Sequence, residues 1–414
     1  MQSLSHHYRK ITSGLLAFLF LWGLMIVTPA FASGGESPEN SCSTDVTACA
    51  TDEYCRIKTG ECLPLQHPDW GFQGFTIPNA NVYSLDATHC TGGDLQALID
   101  SIPAEGGKIL LPACTIETDQ GIVLRDNLIL EGAGMGQTII RITNYAEAPG
   151  TALWGNGVHN IVIRKMTVDA NRDSAGGGDT MAINFDYGCD NILVEQVEAF
   201  DAERQVFGFR NTSHFTARYN NATGGMHGVA TKIETGYDDS IGTCDGLIYS
   251  NTLWENDAYG VDLARSTNIE VAGNNMYDNH VAGGKFPHSR YIYLHHNDVN
   301  SNDGPGFVYY TYAGDTDFRY GILYVEYNDL SQNDGKAFTT WRDDSKQMDY
   351  LYVRDNETAG SVDWRDCNTV CNHCDIAEIG GYSGVMCDNN DDPDNQTPDS
   401  PTVWKFVFTL VPGQ

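Results

Sequence analysis

The sequence predicts an all-β fold, a right-handed parallel β-helix in which short strands stack coil upon coil, with an N-terminal capping helix. A short unit recurs between residues 160 and 356: an aliphatic residue, two residues, Asn, one residue, an aliphatic residue or Met, two residues, Asn. Apolar residues also alternate with polar ones within the units. No amphipathic helix of about 10 to 15 residues separates the units, as a Rossmann-type sheet would require. Such a period is typical of a solenoid.

An asparagine pair marks each copy of the repeat. Successive first asparagines are 23, 23, 31 and 28 residues apart, which suits one coil with occasional inserted loops. Because equal positions of successive coils lie over one another, we expect the amide side chains to hydrogen-bond along the stack. The first asparagines are Asn251, Asn274, Asn297, Asn328 and, in a weaker copy, Asn356; the second are Asn256, Asn279, Asn302 and Asn333.

Residues 94 to 102 predict the capping helix. Their apolar side chains have helical spacing, and Pro103 with Gly106 and Gly107 ends the pattern. We expect this helix to cover the open end of the solenoid, since an uncovered parallel edge would aggregate. The apolar residues are Leu95, Leu98, Ile99 and Ile102.

The first 32 residues indicate an export signal. A basic front precedes an apolar run over residues 14 to 27, and Ala30-Phe31-Ala32 forms a small-x-small cleavage site. We therefore expect cleavage after Ala32, no membrane span and secretion to the periplasm or the cell exterior. The expected organisation is a signal peptide (1–32), a linker (33–41), a disulfide-rich mini-module (42–62), the β-helix (63–387), an acidic linker (388–400) and a C-terminal strand (401–414).

Twelve cysteines agree with an oxidising compartment. Cys90 and Cys114 flank the capping helix and form the easiest pair to predict. Cys189 and Cys244 occupy turns two coils apart, about 9 to 10 Å, which exceeds the roughly 7 Å limit for a disulfide unless the coils bend. Two disulfides instead of a core are expected in the first cluster, and disulfides or a zinc site with His373 in the second. The clusters are Cys42, Cys49, Cys55 and Cys62, and Cys367, Cys371, Cys374 and Cys387.

The formal net charge of −31 excludes nucleic acid and anionic lipid as expected partners, since such a surface repels both. It also repels polyuronates, so a polysaccharide ligand of that class requires local basic groups or bound calcium. The Asp238-Asp239 pair is the candidate for Ca²⁺. We expect a monomer with a polysaccharide partner.

Several segments resemble those of a known group. The helix followed by Gly-Gly-Lys-Ile-Leu-Leu-Pro, the Leu-Glu-Gly-Ala-Gly segment and the Asn-x4-Asn coils resemble the pectate-lyase-like superfamily of right-handed β-helices. The segments 168–173 and 256–262 are similar in style to mannuronan C5-epimerases and alginate lyases. The resemblance implies the fold, but lyases, epimerases, hydrolases and inert adhesins share this scaffold. The epimerase motif Asp-Pro-His-Glu or Asp-Pro-His-Asp is absent, because Arg210 stands where its first Asp would.

The candidate site is predicted on the strand that follows each second asparagine. Outward-facing positions of successive coils stack about 4.8 Å apart, so distant residues form one row. Six residues after the second asparagines stand Asp262, Lys285, Val308 and Thr339. Earlier coils contribute Arg210, His227, Ala230 and Lys232, and Tyr310, Trp341 and Arg342 lie further along.

These residues suit a uronic-acid polymer. Removing the proton next to a uronate carboxylate requires a base, a group that neutralises the carboxylate and an acid for the departing oxygen. Lys285 or His227 is the predicted base, Arg210 the neutralising group and Tyr310 the acid. Crowding by Arg210 or Lys232 would lower the pKa of a lysine base. The predicted substrate-binding residues are Lys232, Asp262, Trp341 and Arg342.

The expected function is a secreted polysaccharide lyase that cleaves an alginate-like polymer by β-elimination. A glycoside hydrolase on the same scaffold, which would use two carboxylates, and a non-catalytic carbohydrate-binding surface protein remain alternatives. The residues also have purely structural interpretations, in which Lys285 only pairs with Asp262 on the adjacent coil and His227 only forms a turn.

Overall fold

The computed structural model describes most of the chain between residues 49 and 376. The described residues are 49–50, 52–56, 59–143, 150–172, 180–232, 243–311, 322–334, 337–342, 348–354, 356–357 and 371–376. The predicted signal peptide, Asp238 with Asp239, and residues 388–414 lie outside them. Within the described ranges, no helix has the length and apolar character to cross a membrane.

Short strands joined by tight turns make up nearly all of the described chain. A 3-10 helix at Pro68–Trp70 and helix α1 (Gly92–Ser101) interrupt them. The strands, in chain order, are β1 (Glu53–Arg56), β2 (Glu61–Pro64), β3 (Val82–Ser84), β4 (Gly107–Leu110), β5 (Thr115–Thr118), β6 (Ile122–Val123), β7 (Leu128–Glu131), β8 (Ile139–Ile142), β9 (Thr151–Asn156), β10 (His159–Asp169), β11 (Met181–Asp186), β12 (Cys189–Phe200), β13 (Gln205–Phe209), β14 (Thr212–Arg218), β15 (Asn221–Thr223), β16 (His227–Lys232), β17 (Cys244–Tyr249), β18 (Thr252–Trp254), β19 (Tyr259–Ala264), β20 (Thr267–Ala272), β21 (Asn275–Tyr277), β22 (Ala282–Lys285), β23 (Arg290–His295), β24 (Asp298–Asn300), β25 (Phe307–Thr311), β26 (Ile322–Glu326), β27 (Phe338–Arg342), β28 (Met348–Arg354) and β29 (Cys371–Ile376).

The strands form three parallel stacks, so the predicted parallel β-helix is confirmed. Each coil contributes one strand to each stack in turn, as β17, β18 and β19 do. The long strands β10 and β12 run from the first stack into the second. The first sheet is β3-β4-β7-β10-β12-β14-β17-β20-β23-β26-β28-β29, the second is β5-β8-β10-β12-β15-β18-β21-β24, and the third is β6-β9-β11-β13-β16-β19-β22-β25-β27.

Inward-facing apolar side chains fill the solenoid. Phe209 stacks between Phe185 and Phe215, with ring centroids 5.7 Å and 4.4 Å apart. Each coil of the third sheet adds a residue to one continuous row, because parallel neighbours place equal positions over one another. The fully buried members of this row are Leu153, Ile183, Phe207, Val229, Val261, Phe307 and Phe338.

Two ladders of buried asparagines follow the turns, as the repeat predicts. The spacing of five residues within a pair brackets a three-residue strand of the second sheet, as Asn251 and Asn256 bracket β18. Asn251 Nδ2 donates to Asn274 Oδ1 at 2.9 Å, and Asn256 Nδ2 donates to Asn279 Oδ1 at 2.9 Å. The first ladder is Asn220, Asn251, Asn274, Asn297, Asn328 and Asn356; the second is Asn256, Asn279, Asn302 and Asn333.

Helix α1 covers the first coils, which confirms the predicted cap. The Thr91 hydroxyl accepts a hydrogen bond from the backbone N–H of Asp94 at 3.1 Å and so satisfies one of the free donors at the helix start. Leu95 and Ile99 are fully buried in the core. The predicted disulfide between Cys90 and Cys114 is present and ties the helix entrance to the solenoid.

The N-terminal hairpin β1-β2 packs on the outer face of the first sheet. The Cys49–Cys62 disulfide joins its ends, and Cys55 is also disulfide-bonded. Tyr54 is fully buried in an apolar cluster with Tyr249 and other solenoid residues. The disulfides of this module are therefore supplemented by contacts with the β-helix.

A buried glutamate fixes the segment that follows the hairpin. Glu270 accepts hydrogen bonds from the backbone N–H groups of Gln66 and His67, both at 2.8 Å. Its carboxylate also lies 2.9 Å from His295 Nε2. Trp70 stacks on the His67 ring, with centroids 3.8 Å apart. One carboxylate thus anchors a segment more than 200 residues away in sequence.

Alternating charges line the outer face of the first sheet near its start. Strands β7, β10 and β12 place Glu131, Arg164 and Glu195 at equal positions. Arg164 Nη2 lies 2.7 Å from Glu131, and Lys108 and Lys165 lie 2.7 and 3.1 Å from it. Burial by itself would raise the pKa of Glu131, but hydrogen bonds from these three cations lower it to about 2.

Glu131 is expected to make folding stability depend on pH. Because its pKa falls from 4.5 to about 2 on folding, its contribution is present above pH 4.5 and is lost as pH falls through 2. The shift corresponds to about 3 kcal/mol at neutral pH. Urea unfolding of Glu131→Gln should show that loss at neutral pH and little difference from wild type near pH 2. The exposed Glu105→Gln is the control; equal behaviour of the two variants would contradict the expectation.

Candidate functional site

The outer face of the third sheet carries one row of aligned residues, here called the site row. In the backbone register, Asp262 pairs with Lys285, and Lys285 pairs with Val308. These positions are aligned as the sequence predicts. In the other direction the row continues through small residues to larger polar ones. From first coil to last it is Val123, Trp154, Asn184, Gly208, Ala230, Asp262, Lys285, Val308 and Thr339.

Glycines determine how the strands enter this face. Four successive coils have a glycine two residues before the site row, and a Cβ on Gly228 would lie only 2.7 Å from the backbone oxygen of Gly260. A side chain there would force the coils apart, so glycine is required. The residue before each glycine then lies beside the site row. The glycines are Gly228, Gly260, Gly283 and Gly306.

Four side chains from three successive coils meet at one end of the row, and we call them the histidine cluster. The rings of His227 and Tyr259 stack, with centroids 5.6 Å apart. His227 Nε2 lies 3.5 Å from Asp262 Oδ2, and Lys285 Nζ lies 3.7 Å from the same oxygen. Lys285 Nζ also lies 5.1 Å from the centre of the Tyr259 ring. The cluster therefore combines a candidate base, a carboxylate, a cation and a phenol.

The histidine cluster is largely withdrawn from solvent. The side chains of His227, Asp262 and Lys285 are 14, 8 and 15% exposed. Charges interact more strongly at such a position than on the surface, because solvent screens them less. Among the described residues, Asp262 Oδ1 is buried and has no hydrogen-bond partner. Lys285 therefore does contact Asp262, but the two side chains are largely buried. They do not form the exposed surface salt bridge that the purely structural interpretation expects.

A second group, the aspartate cluster, lies three coils earlier. Asp186 Oδ2 accepts hydrogen bonds from Trp154 Nε1 at 3.2 Å and from Asn184 Nδ2, and Asp186 Oδ1 lies 3.2 Å from Arg210 Nε. The guanidinium of Arg210 is therefore held by a buried carboxylate. Strands β9 and β11 supply the first three residues, and Arg210 follows the end of β13.

The structure separates two residues that the sequence analysis considered together. Arg210 lies two residues beyond Gly208, so its strand is three spacings, about 14 Å, from that of Lys285. Arg210 lies against Asp186, whereas Lys285 lies against Asp262 and Tyr259. Crowding of a lysine base by Arg210 or Lys232 therefore stays a prediction.

The structure gives the backbone positions of the other site residues predicted from the sequence. Lys232 pairs with Ala264, two residues beyond the site row. Tyr310 pairs with Trp341 in the backbone register of β25 and β27, and Arg342 is one residue further along. Their roles remain predictions, as does the Ca²⁺ role of Asp238 and Asp239 outside the described residues.

Sequence reasoning missed Tyr259, Asn184, Asp186 and Trp154. Tyr259 could have been found, because it stands three residues before Asp262, as His227 stands three before Ala230. The members of the aspartate cluster had no local signal.

The described residues show no group of three or more His, Cys, Asp or Glu side chains that could hold a metal ion. The carboxylates of the two clusters, Asp186 and Asp262, lie against Arg210 and Lys285. They do not fit a Ca²⁺ site, which requires six to eight oxygen ligands. No step of the chemistry below passes through a metal.

Comparison with known proteins confirms the expected resemblance. No family model matches the chain. It is 28% identical over 211 residues to mannuronan C5-epimerase AlgE5 of Azotobacter vinelandii, covering 46% of this chain and 20% of that protein. It is 26% identical over 192 residues to alginate lyase 7 of the same organism, covering 42% of this chain and 21% of that protein. The chain thus spans about a fifth of the length of these relatives.

A solved structure also aligns with this chain. The A-module of mannuronan C5-epimerase AlgE6 of Azotobacter vinelandii aligns with a TM-score of 0.42 and 17% identity, over 76% of this chain and 99% of the module.

Proposed function

We propose that this parallel β-helix, related in sequence to mannuronan C5-epimerases and alginate lyases, is an exported enzyme that cleaves an alginate-like uronic-acid polysaccharide by β-elimination. The observation that carries the proposal is the histidine cluster, in which His227, Asp262 and Lys285 meet around the Tyr259 ring. The disulfides Cys49–Cys62 and Cys90–Cys114 support action in an oxidising compartment.

His227 is the base that we favour over Lys285. A nitrogen base must be unprotonated before it takes a proton. Lys285 Nζ lies against a carboxylate and over the face of an aromatic ring, which are contacts suited to a cation. Lys285 is therefore better suited to neutralise the substrate carboxylate. Asp262 orients the imidazole and stabilises it once protonated.

The elimination then has a group for each step. His227 removes the proton from C5 of the uronate, and charge develops on the adjacent carboxylate, which Lys285 stabilises. The C4–C5 double bond forms as the bond from C4 to the glycosidic oxygen breaks. That oxygen takes a proton from the Tyr259 hydroxyl, and solvent restores it. Tyr310, the acid predicted from sequence, remains an alternative donor.

Within the described part of the chain, the carboxylates of the two clusters are spaced too far apart for the acid and base of a glycoside hydrolase. Hydrolases use two carboxyl groups roughly 5 to 10 Å apart. Asp186 and Asp262 lie on strands three spacings, about 14 Å, apart. Both also lie against cationic side chains.

The proposal is tested by incubating the full chain with alginate, pectate and a glycosaminoglycan, with and without Ca²⁺. Three products are followed: the ultraviolet absorbance of an unsaturated uronate, reducing ends, and the mannuronate-to-guluronate ratio by proton NMR. We expect absorbance and reducing ends to rise together on alginate. A changed ratio without absorbance would replace cleavage by epimerisation, since both begin with removal of the C5 proton. Reducing ends without absorbance would indicate hydrolysis, and no change in any polymer would overturn the enzymatic proposal.

A further inference from the structure

The site row is interrupted by two small residues between its two clusters. Strands β13 and β16 place Gly208 and Ala230 where neighbouring strands carry Asn184 on one side and Asp262 on the other. The interruption spans two strands, so the two clusters are separated by a stretch of the face where the site row carries only Gly208 and Ala230.

The side chain of Asn184 is turned onto this stretch. The Asp186 carboxylate accepts from Trp154 Nε1 and lies against Arg210, and the Asn184 amide presents its Nδ2 to the same carboxylate. Its Oδ1 therefore points the other way. A Cβ added to Gly208 would overlap with this oxygen, which shows that Oδ1 lies directly over the glycine. Gly208 is thus the residue that allows Asn184 to adopt this position.

An acceptor without a partner lies at each edge of the stretch. Asn184 is fully buried, and its Oδ1 has no hydrogen-bond partner among the described residues. The same holds for Asp262 Oδ1. Buried acceptors are nearly always satisfied in native proteins, and a ligand hydroxyl is a donor that would satisfy such an oxygen at a candidate site. Both oxygens would attract a hydroxyl group and repel a carboxylate.

We propose that the sugar unit placed over Gly208 and Ala230 is recognised through its hydroxyl groups, with Asn184 Oδ1 as the acceptor. This inference rests on the proposed function, since it assigns a specificity-determining role within the same site. The carboxylates of the polymer are then directed away from this stretch, toward Arg210 and Lys285. The ligand class is a polyuronate whose hydroxyl groups at this unit are unsubstituted.

The test compares alginate oligomers with the same oligomers after chemical O-methylation, which removes hydroxyl donors but leaves the carboxylates. KM and kcat are measured for the wild-type protein and for Asn184→Leu. We expect O-methylation to raise the wild-type KM about tenfold, the effect of one lost hydrogen bond. Asn184→Leu should already show this higher KM on unmodified oligomers and should respond little to methylation.

Two further variants guard against misfolding and nonspecific effects. Gly208→Ala places a methyl group where Asn184 Oδ1 lies, so it should raise KM as Asn184→Leu does. The thermal midpoint of unfolding of each variant is measured to show that it is folded. Asn275→Leu, on the outer side of the second sheet, should match wild type.

The outcomes separate the inference from the proposed function. Equal sensitivity of wild type and Asn184→Leu to O-methylation, with both folded, would overturn the inference and leave Asn184 a structural residue. No action of the wild-type protein on unmodified alginate would overturn the proposed function and the inference with it. If Asn184→Leu fails to fold, Gly208→Ala decides in the same way.

Discussion

Replacing His227 with Gln is expected to lower the rate of cleavage of alginate by about 10²- to 10⁴-fold, the range contributed by a positioned general base. Glutamine preserves the approximate volume and a polar group near Asp262 but cannot take a proton. The rate is followed by absorbance of the unsaturated product under saturating substrate. The fold should persist, because His227 is the first residue of β16, its ring contacts Asp262 of the site row, and the core row passes through Val229.

A second His–Asp pair offers a matched control. His280 Nδ1 lies 2.9 Å from Asp303 Oδ2 at an exposed turn before β22. His280→Gln removes the same chemical group from a similar pair outside the site, and its rate should equal that of wild type. Full activity of His227→Gln, or an equal loss in both variants, would exclude His227 as the base.

The same cluster predicts strong coupling between His227 and Asp262. If Asp262 acts by orienting His227, then Asp262→Asn in a His227→Gln background should add little to the loss of rate, because groups that act as a unit are not additive. Independent roles would instead make the two losses multiply. This cycle uses the same rate measurement.

Replacing Asn274 with Ala is expected to destabilise the β-helix by about 3 to 5 kcal/mol, since several buried groups lose their partners. Asn274 Oδ1 accepts from the backbone N–H and the Nδ2 of Asn251 at 3.0 and 2.9 Å. Its Nδ2 donates to the backbone oxygen of Ile248 at 2.8 Å and to Asn297 Oδ1 at 3.0 Å. Water cannot replace these bonds inside the solenoid.

The adjacent residue provides the control for this prediction. Asn275 lies half-buried on the outer side of strand β21, and Asn275→Ala should change the urea midpoint of unfolding little. Asn274→Asp should also lower the midpoint strongly, because its carboxylate oxygen would face the acceptor oxygens of Ile248 and Asn297. Similar midpoints for Asn274→Ala and Asn275→Ala would show that the ladder does not carry the expected stability.

The sequence determined the fold and much of its register. Each Asn-x4-Asn unit marks two turns around a three-residue strand, so counting from the second asparagine placed Asp262, Lys285, Val308 and Thr339 at equal positions. The capping helix and the disulfide between Cys90 and Cys114 were also readable. These features depend on local patterns repeated at a fixed period, which is why they could be predicted without coordinates.

Only the tertiary structure decided which side chains meet. Arg210 lies against Asp186 of the preceding coil. The coil of Arg210 lacks the asparagine pair from which positions were counted in the other coils. Glu270 binds the backbone of Gln66 and His67 from more than 200 residues away. Contacts between such distant segments depend on the register of every coil between them and on how the N-terminal segment packs. No local pattern of residues encodes them.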